Sequence, residues 1–158
     1  MKIRKLIPEN FGKAYALLRQ AFPRSTYEIQ LVEKFHKNGR GVHEWVCIHS
    51  NTIIGYIAFS NAYNGSDICG LHLGPMAVKS DFQKQGVGSE LLRFALRQPE
   101  IKDKAIFVLG EPNFYKKFGF ELCAAPICPF DKNNTHFLGI RNNSNNQFTV
   151  GYESEFYK

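Results

Sequence analysis

The sequence predicts a mixed α/β or α+β fold in which a β-sheet packs against helices. Its 158 residues suit one domain of ordinary size, and no internal repeat or interdomain linker divides them. Hydrophobic residues make up 44% of the chain and charged residues 22%, which is typical of globular proteins. Apolar spacing predicts the element order β-α-α-β-β-β-α-β-α-β-β. A single domain over residues 1–158 is therefore expected.

The N-terminal elements are one strand and two helices. Lys2–Leu6 alternates charged and apolar residues, which predicts a short strand. A helix should begin at Pro8 and end near Ala21, before a Phe-Pro step that breaks it. The second helix should cover Ser25–Asn38, where Ser25 and Glu28 have the spacing of a capping box.

Three strands follow in the middle of the chain. Trp45–His49 and Thr52–Asn61 should form a hairpin, because Ser50-Asn51 between them is a tight-turn signal. After a loop at residues 63–66, the apolar run Leu71–Val78 reads as a buried central strand.

The C-terminal half should contribute further strands. Ala105–Gly110 is an apolar run that predicts a second buried strand, and a further strand is expected from about His136 to Ile140. Gln147–Phe156 alternates apolar and polar residues, which predicts a terminal strand.

The central strand leads into a glycine-lined turn. Gly74-Pro75 interrupts the strand, because proline cannot donate to a β-ladder and marks a bulge or a frayed pairing. A polar loop, Lys79–Gln85, precedes Gly86-Val87-Gly88-Ser89, which opens a helix. The first turn of a helix has free N–H groups and a positive dipole end, and glycine allows close approach to the backbone. We expect the start of this helix to bind a phosphate or another anion.

Two common phosphate motifs are absent. The dinucleotide fingerprint G-x-G-x-x-G fails because Leu91 stands where the third glycine should be, and no G-x-x-x-x-G-K-[ST] loop occurs in the chain. The loop Gln83–Gly88 instead has the form Q-x-x-G-x-G. About twenty residues later a second apolar strand leads to Tyr115–Phe120, which has the form Tyr-x-x-x-Gly-Phe.

With these two motifs, residues from about 66 to 120 resemble the GNAT superfamily of acyl-CoA-dependent N-acetyltransferases. The resemblance implies a GNAT-like mixed sheet with a splayed central strand pair and about four helices. It implies acetyl-CoA as co-substrate and a primary amine as acceptor. Direct attack in a ternary complex is expected rather than an acyl-enzyme on Cys123, because no His-bearing constellation near Cys123 is visible in the sequence. The segment of the two N-terminal helices would line the acceptor pocket. The pyrophosphate would be held by the loop Gln83, Lys84, Gln85, Gly86, Val87, Gly88 and Ser89.

The resemblance also places the pantetheine arm between the strand ends at Val78 and Gly110, with Asn113 holding the arm. If Gly74-Pro75 splays the central strand, the N–H groups of Met76, Ala77 and Val78 lose their partners and can serve as an oxyanion hole.

Tyr115 is the expected general acid, because GNAT members commonly place an acid at this tyrosine. A phenol with a pKa of about 10 is protonated at neutral pH and can protonate a thiolate. A packed core tyrosine is the structural alternative. The base that deprotonates the amine stays open between His72, Glu111 and a water chain.

Charge and cysteine content set the remaining expectations. A net charge of +6 attracts anions such as coenzyme A, whereas scattered Lys and Arg without a recognisable motif disfavour nucleic acid. Four cysteines lack zinc-like spacing, so no metal is expected. No secretion signal or membrane-spanning run is seen, which favours a cytoplasmic protein with reduced thiols. A non-catalytic CoA-binding regulatory module is the alternative function, and a homodimer stays open.

Overall fold

The computed structural model describes residues 1–157 and has the mixed α/β architecture that the sequence predicts. The strands are β1 Lys2–Lys5, β2 His43–His49, β3 Thr52–Asn64, β4 Asp67–Val78, β5 Ile106–Leu109, β6 Glu121–Leu122, β7 Pro126–Ile127, β8 Phe137–Ile140 and β9 Phe148–Thr149. The α-helices are α1 Phe11–Ala21, α2 Tyr27–Lys37, α3 Val87–Leu96 and the single turn α4 Pro112–Tyr115.

Seven strands form a mixed sheet in the order β1-β2-β3-β4-β5-β8-β6, and β7 pairs with β9 in a separate two-stranded sheet. The β4–β5 pair is parallel, whereas β1–β2, β2–β3, β5–β8 and β6–β8 are antiparallel. Parallel neighbours require a crossover connection, and α3 lies in the segment that connects β4 to β5. The predicted fold class is confirmed.

The chain packs as two compact units. The first unit contains Met1–Phe59 and Pro75–Lys102, and the second contains Ser60–Gly74 and the chain from Asp103 onward. The long strands β3 and β4 each contribute to both units.

In the first unit, α1 and α2 pack on β2 and β3 through a shared apolar core. This core includes Ala14, Leu17, Leu18, Ile29, Val32, Val46, Ile53, Tyr56 and Ala58. The apolar residues of α1 and α2 recur at helical spacing, so that each helix turns one stripe to the sheet.

A polar cluster also joins both helices to the sheet of the first unit. The Tyr15 hydroxyl lies 2.6 Å from Nδ1 of His36, and Nε2 of His36 lies 2.8 Å from the Glu44 carboxylate. Tyr56 donates its hydroxyl proton to the same carboxylate at 2.5 Å. The Phe11 ring stacks on the His36 imidazole with centroids 3.6 Å apart. Because partly buried polar groups are costly when unpaired, this mutual satisfaction fixes α1 and α2 relative to β2 and β3.

The second unit has an aromatic core. Buried Ala62, Phe107, Cys128, Phe137 and Val150 form one cluster. The rings of Phe107 on β5 and Phe137 on β8 stack with centroids 5.5 Å apart, as neighbouring strands allow.

Several predicted boundaries are confirmed. The first strand, the end of α1 at Ala21 and the hairpin at Ser50-Asn51 occur as expected, and both turn residues are left-handed with φ of +49° and +62°. Positive φ at two central residues is the geometry of the tightest hairpins. The connection between β3 and β4 is shorter than the loop expected at 63–66. Strand β3 continues to Asn64, so only two residues connect it to β4.

The predicted capping box at the start of α2 is wrong. The helix begins at Tyr27, so Ser25 lies outside the capping position, and its Oγ accepts a hydrogen bond from the Tyr27 N–H at 3.1 Å. A serine two residues before a helix closes a local turn of this kind. Oε1 of Glu28 is buried and has no hydrogen-bond partner within residues 1–157.

The predicted terminal strand over Gln147–Phe156 is also wrong. Only Phe148–Thr149 is a strand, Gly151 forms an isolated bridge with Tyr63, and Ser154–Tyr157 is a 3₁₀ helix. The Tyr157 hydroxyl accepts the N–H of Tyr152, which removes that group from any ladder. The sequence does not predict the two short strands β6 and β7 in the stretch Glu121–Ile127, and each of them pairs with a different partner strand.

A close approach between β4 and the residue before β5 gives a test of the second unit. A Cβ at Gly70 would lie 2.5 Å from the backbone oxygen of Ala105, so Gly70→Ala should lower the free energy of unfolding by about 1–3 kcal/mol. The matched control is Gly12→Ala in α1, where a Cβ would meet nothing within 4 Å. Urea denaturation of both variants measures the difference, and equal stabilities would contradict this packing.

Candidate functional site

The connection from β4 to α3 is a braced loop of the first unit. A 3₁₀ turn at Ser80–Phe82 follows β4, and the side-chain amide of Gln83 donates to the Val78 carbonyl at 3.1 Å. The amide of Gln85 donates to the Asp81 carbonyl at 3.1 Å. Both glutamines therefore hold the loop in shape through its own backbone.

The loop reaches α3 through left-handed residues. Lys84 has φ of +62° and Gly86 has φ of +86°, a combination that turns successive N–H groups toward one side. Gly86 is the N-cap of α3, and no side chain caps the helix. A Cβ at Gly86 would meet nothing within 4 Å, so the space beside this helix end is open. The first-turn N–H groups of α3 therefore face a position that a small anion can occupy.

The position of α3 is fixed by close packing within the same unit. Val87, Leu91, Leu92 and Ala95 are buried on one face of the helix. A Cβ at Gly55 of β3 would lie 3.2 Å from Cγ1 of Val87 and 3.3 Å from Cδ2 of Leu91. The missing side chain of Gly55 lets the helix approach the sheet closely, and this holds the loop and the helix end in place.

The sequence predicts that Gly74-Pro75 interrupts the central strand, but β4 runs without a break from Asp67 to Val78, and only its pairing with β5 ends at this point. The β4–β5 ladder contains the pairs Leu71–Ile106, His72–Phe107 and Leu73–Val108, and so ends directly before Gly74-Pro75. Beyond that point β4 continues through Met76, Ala77 and Val78, and only Ala77 of these three is buried.

Tyr115 ends α4 in the second unit and is 8% exposed. Its ring packs edge-to-face against Phe114 and Phe120, with centroids 4.9 Å and 5.7 Å away. A Cβ at Gly110 would lie 2.6 Å from Cε2 of Tyr115, so this glycine makes room for the ring. Within residues 1–157 the Tyr115 hydroxyl makes no hydrogen bond.

Burial raises the pKa of Tyr115 to about 12. The group is therefore a neutral phenol across the physiological range, with its proton not committed to a protein acceptor. Such a group has the protonation state of a general acid. Asn113, two residues earlier, is exposed, and its side-chain amide is unpaired within the described part of the chain.

His72 is one of the three candidates for accepting the amine proton. In the structure it is a buried neutral imidazole. It is 2% exposed, its ring stacks on Tyr152 with centroids 3.6 Å apart, and Nε2 donates to the Gly151 carbonyl at 3.0 Å. Burial lowers the pKa of His72 to about 4, and the Gly151 carbonyl offsets this only in part. A base this weak takes a proton from an ammonium group at high cost.

Glu111 has a structural partner. It is the N-cap of α4, where its carboxylate accepts the Asn113 N–H at 3.4 Å. The sequence left open whether Glu111 caps a helix or acts as the base. This contact is the capping role.

One polar cluster of the first unit was not found from the sequence. His36 and Glu44 lie between Tyr15 and Tyr56 in the polar cluster of the first unit, and none of the four belongs to a sequence motif. The only signal in the sequence is the presence of polar residues on the core-facing sides of α2 and β2, and this signal does not identify their partners.

The comparisons with known proteins agree with this geometry. A family model described as an acetyltransferase (GNAT) domain matches residues 40–122. The uncharacterized N-acetyltransferase YhbS of Escherichia coli K12 is 34% identical over 127 residues, which cover 78% of this chain and 75% of YhbS.

Solved structures show the same fold. The crystal structure of E. coli YhbS in complex with CoA matches with a TM-score of 0.90 and 27% identity, and the match covers 99% of this chain and 92% of that one. A GNAT family acetyltransferase from Brucella melitensis, solved with acetyl-CoA, matches with a TM-score of 0.81 and 24% identity over 98% of this chain and 97% of that one.

The chain belongs to the GNAT family of N-acetyltransferases. This confirms the resemblance drawn from the sequence.

Residues 1–157 lack two further features. They contain no group of three or more His, Cys, Asp or Glu side chains that could hold a metal ion. No helix in the same residues has the length and apolarity required to cross a membrane.

The burial of His72 predicts a pH dependence of stability. Between pH 6.5 and about 4 the unfolded chain protonates this histidine and the folded chain does not, so the free energy of unfolding should fall as the pH falls. His72→Phe keeps an aromatic ring against Tyr152 and removes this titration. Its free energy of unfolding should decrease between pH 7 and 4 by about 2–3 kcal/mol less than that of the parent.

Urea denaturation at a series of pH values measures both proteins, and His49→Gln removes an exposed histidine as the control. The same pH profile for the parent and His72→Phe would contradict this account, because it would show that His72 has the same pKa in the folded and unfolded chains.

Proposed function

We propose that this protein transfers the acetyl group of acetyl-CoA to a primary amine by direct attack in a ternary complex. The observation that carries the proposal is the open, uncapped N-terminus of α3 behind a braced, left-handed loop. Membership of the GNAT family and the CoA bound in the YhbS crystal structure support acetyl-CoA as the ligand of this loop.

In this proposal the pyrophosphate of acetyl-CoA lies at the start of α3. The N–H groups of Val87, Gly88 and Ser89 donate to its oxygens, and the helix dipole adds a favourable field. Lys84 adds positive charge from the loop. Gln83 and Gln85 act by holding the loop, since their amides are bound to backbone carbonyls.

The reaction begins with attack of the neutral amine nitrogen on the thioester carbonyl carbon. The carbonyl π electrons move to oxygen, and backbone N–H groups among Met76, Ala77 and Val78 stabilise the developing oxyanion. Asn113, whose exposed amide is unpaired within residues 1–157, holds the pantetheine arm. Collapse of the tetrahedral intermediate re-forms the carbonyl and breaks the carbon–sulfur bond.

Tyr115 protonates the departing thiolate. A phenol with a pKa of about 12 is a poor donor to a thiolate in water, but burial acts on both partners. Cys123 illustrates the size of this effect, because burial is the larger cause that raises the pKa of its thiol to about 11. Desolvation raises the basicity of a released thiolate in the same direction, which favours proton transfer from the Tyr115 phenol.

The ammonium group of the acceptor loses one proton to water, which gives the neutral amine that attacks. After the attack the positively charged nitrogen loses a second proton, and water returns a proton to the Tyr115 phenolate. His72 is too weak a base to take either proton, and the carboxylate of Glu111 caps α4. A chain of waters requires no titrating side chain and leaves the neutral fraction of the acceptor to rise with pH.

The whole chain acts as one GNAT domain in this proposal, because the matched residues 40–122 run through both units. The cytoplasm is the proposed compartment, since a reducing environment suits the four free cysteines.

The phosphate position predicts the effect of a side chain on the first turn of α3. Gly88→Leu should weaken acetyl-CoA binding at least about ten-fold, because its side chain competes with a phosphate that accepts charge-assisted hydrogen bonds. Gly12→Leu is the matched control, since Gly12 is also the second residue of its helix and a Cβ there meets nothing within 4 Å. Isothermal titration calorimetry compares the two variants. If Gly88→Leu folds and binds like Gly12→Leu, the loop does not hold the phosphates.

If Tyr115 is the general acid, removing its hydroxyl should lower turnover without weakening acetyl-CoA binding. Tyr115→Phe keeps the packed ring and should bind acetyl-CoA like the parent, while kcat should fall about 100-fold. Thiol release from acetyl-CoA is measured against a panel of small amines, aminoglycosides, peptides and lysine-containing proteins. Unchanged kcat would exclude Tyr115 as the acid. A parent that binds acetyl-CoA but turns over with no amine would indicate a regulatory module.

A further inference from the structure

A groove in the first unit lies between α1 and the β2–β3 hairpin. Its larger recess has a volume of about 360 Å³ and is lined by α1, the hairpin turn and Lys79 after β4. A second recess of about 160 Å³ extends toward β1 and is lined by Arg4 and Asn10. The two recesses share Lys13, Asn51 and Ile53, so they form one continuous surface. We call this surface the hairpin groove.

The hairpin groove is lined by cations without carboxylates. Arg4, Lys13 and Lys79 are its only charged lining residues, and none of the three forms an ion pair with another residue in the described chain. The neighbouring Lys5 behaves differently, because its ammonium group pairs with Glu100 at 2.6 Å. The groove therefore has a net positive charge that the protein itself does not neutralise.

One of these cations is held over the groove. Lys13 Nζ donates to the backbone carbonyl of Asn51 at 3.1 Å, and the left-handed conformations of Ser50 and Asn51 fix that carbonyl. An ammonium group has three donors, so two remain for a ligand. A cation that is already positioned loses less conformational freedom when it binds.

The rest of the lining defines the shape of the ligand. Leu17 and Ile53, each 4% exposed, form an apolar floor, and Asn10, Gln20 and Thr52 add neutral polar groups along the rim. The larger recess alone is within the size range of small-molecule sites. An apolar floor beneath three cations matches a small organic anion that has a phosphate or carboxylate on a ring or a short aliphatic body.

We infer that the hairpin groove is a binding site for a small organic anion that is distinct from the acetyl-CoA site proposed above. The lining contains no carboxylate to receive an ammonium group, which separates this ligand from the amine acceptor. The groove does not include the Gln83–Gly88 loop, which separates it from the proposed pyrophosphate position. Its occupant is an additional substrate-like metabolite or effector that carries one or two negative charges.

Phenyl phosphate is a suitable probe because it combines a phosphate with an apolar ring. The ¹⁵N-labelled full-length protein is titrated with it in the presence of saturating coenzyme A, which occupies the proposed loop. Saturable shifts are expected at the amides of Lys13, Asn51 and Thr52. Lys13→Met should raise the dissociation constant about five-fold, because it removes one exposed ionic contact and keeps the aliphatic stem.

The control variant is Lys37→Met, which removes an exposed lysine from α2 outside the groove and should leave the dissociation constant within about two-fold. Equal weakening by the two variants would overturn the proposal, since it would show only a response to net charge. Loss of phenyl phosphate binding in saturating coenzyme A would also overturn it, because the groove would then belong to the coenzyme site. If a single-stranded oligonucleotide competes with phenyl phosphate, the proposed ligand is nucleic acid and not a small organic anion.

This test is independent of the transferase proposal. If coenzyme A fails to bind the parent at all, the loop assignment fails, and the shifts at Lys13, Asn51 and Thr52 still report on the groove.

Discussion

The unsatisfied backbone donors at the start of α3 are the constraint on which the candidate site depends. A helix begins with N–H groups that have no intrahelical acceptor, and most helices supply a serine, threonine, aspartate or asparagine to cap them. Here Gly86 occupies the N-cap, and its left-handed φ of +86° brings the chain into the helix without covering those donors. The bracing of the loop and the close packing of α3 on Gly55 keep the donors in position for a ligand.

Burial has opposite consequences for the two titratable groups that flank the chemistry. It raises the pKa of Tyr115 to about 12, which keeps a proton on the phenol at neutral pH. It lowers the pKa of His72 to about 4, which makes the imidazole too weak a base for an ammonium group. In the proposed mechanism this desolvation keeps the Tyr115 phenol available as the acid and makes His72 too weak to be the base, so water accepts the proton of the amine.

The parts of the molecule that were predictable from the sequence are those encoded by neighbouring residues. The end of the β4–β5 pairing at Gly74-Pro75, the glycine turn and the hairpin at Ser50-Asn51 follow from local backbone chemistry. The cluster of Tyr15, His36, Glu44 and Tyr56 was not predictable, because tertiary packing alone brings these distant positions together. The capping box and the terminal strand failed for a related reason. The capping-box spacing and the alternating pattern are present in the sequence. However, α2 begins at Tyr27, beyond the predicted cap, and beyond Thr149 the segment forms only an isolated bridge with Tyr63.

A crystal structure of the protein with acetyl-CoA tests the central claim most directly. The pyrophosphate should lie within hydrogen-bond distance of the N–H groups of Val87, Gly88 and Ser89, with the thioester carbonyl directed at the backbone of Met76–Val78. A coenzyme bound elsewhere, with the first turn of α3 empty or covered by the protein's own side chains, would contradict the assignment of the loop and the acetyl transfer that depends on it.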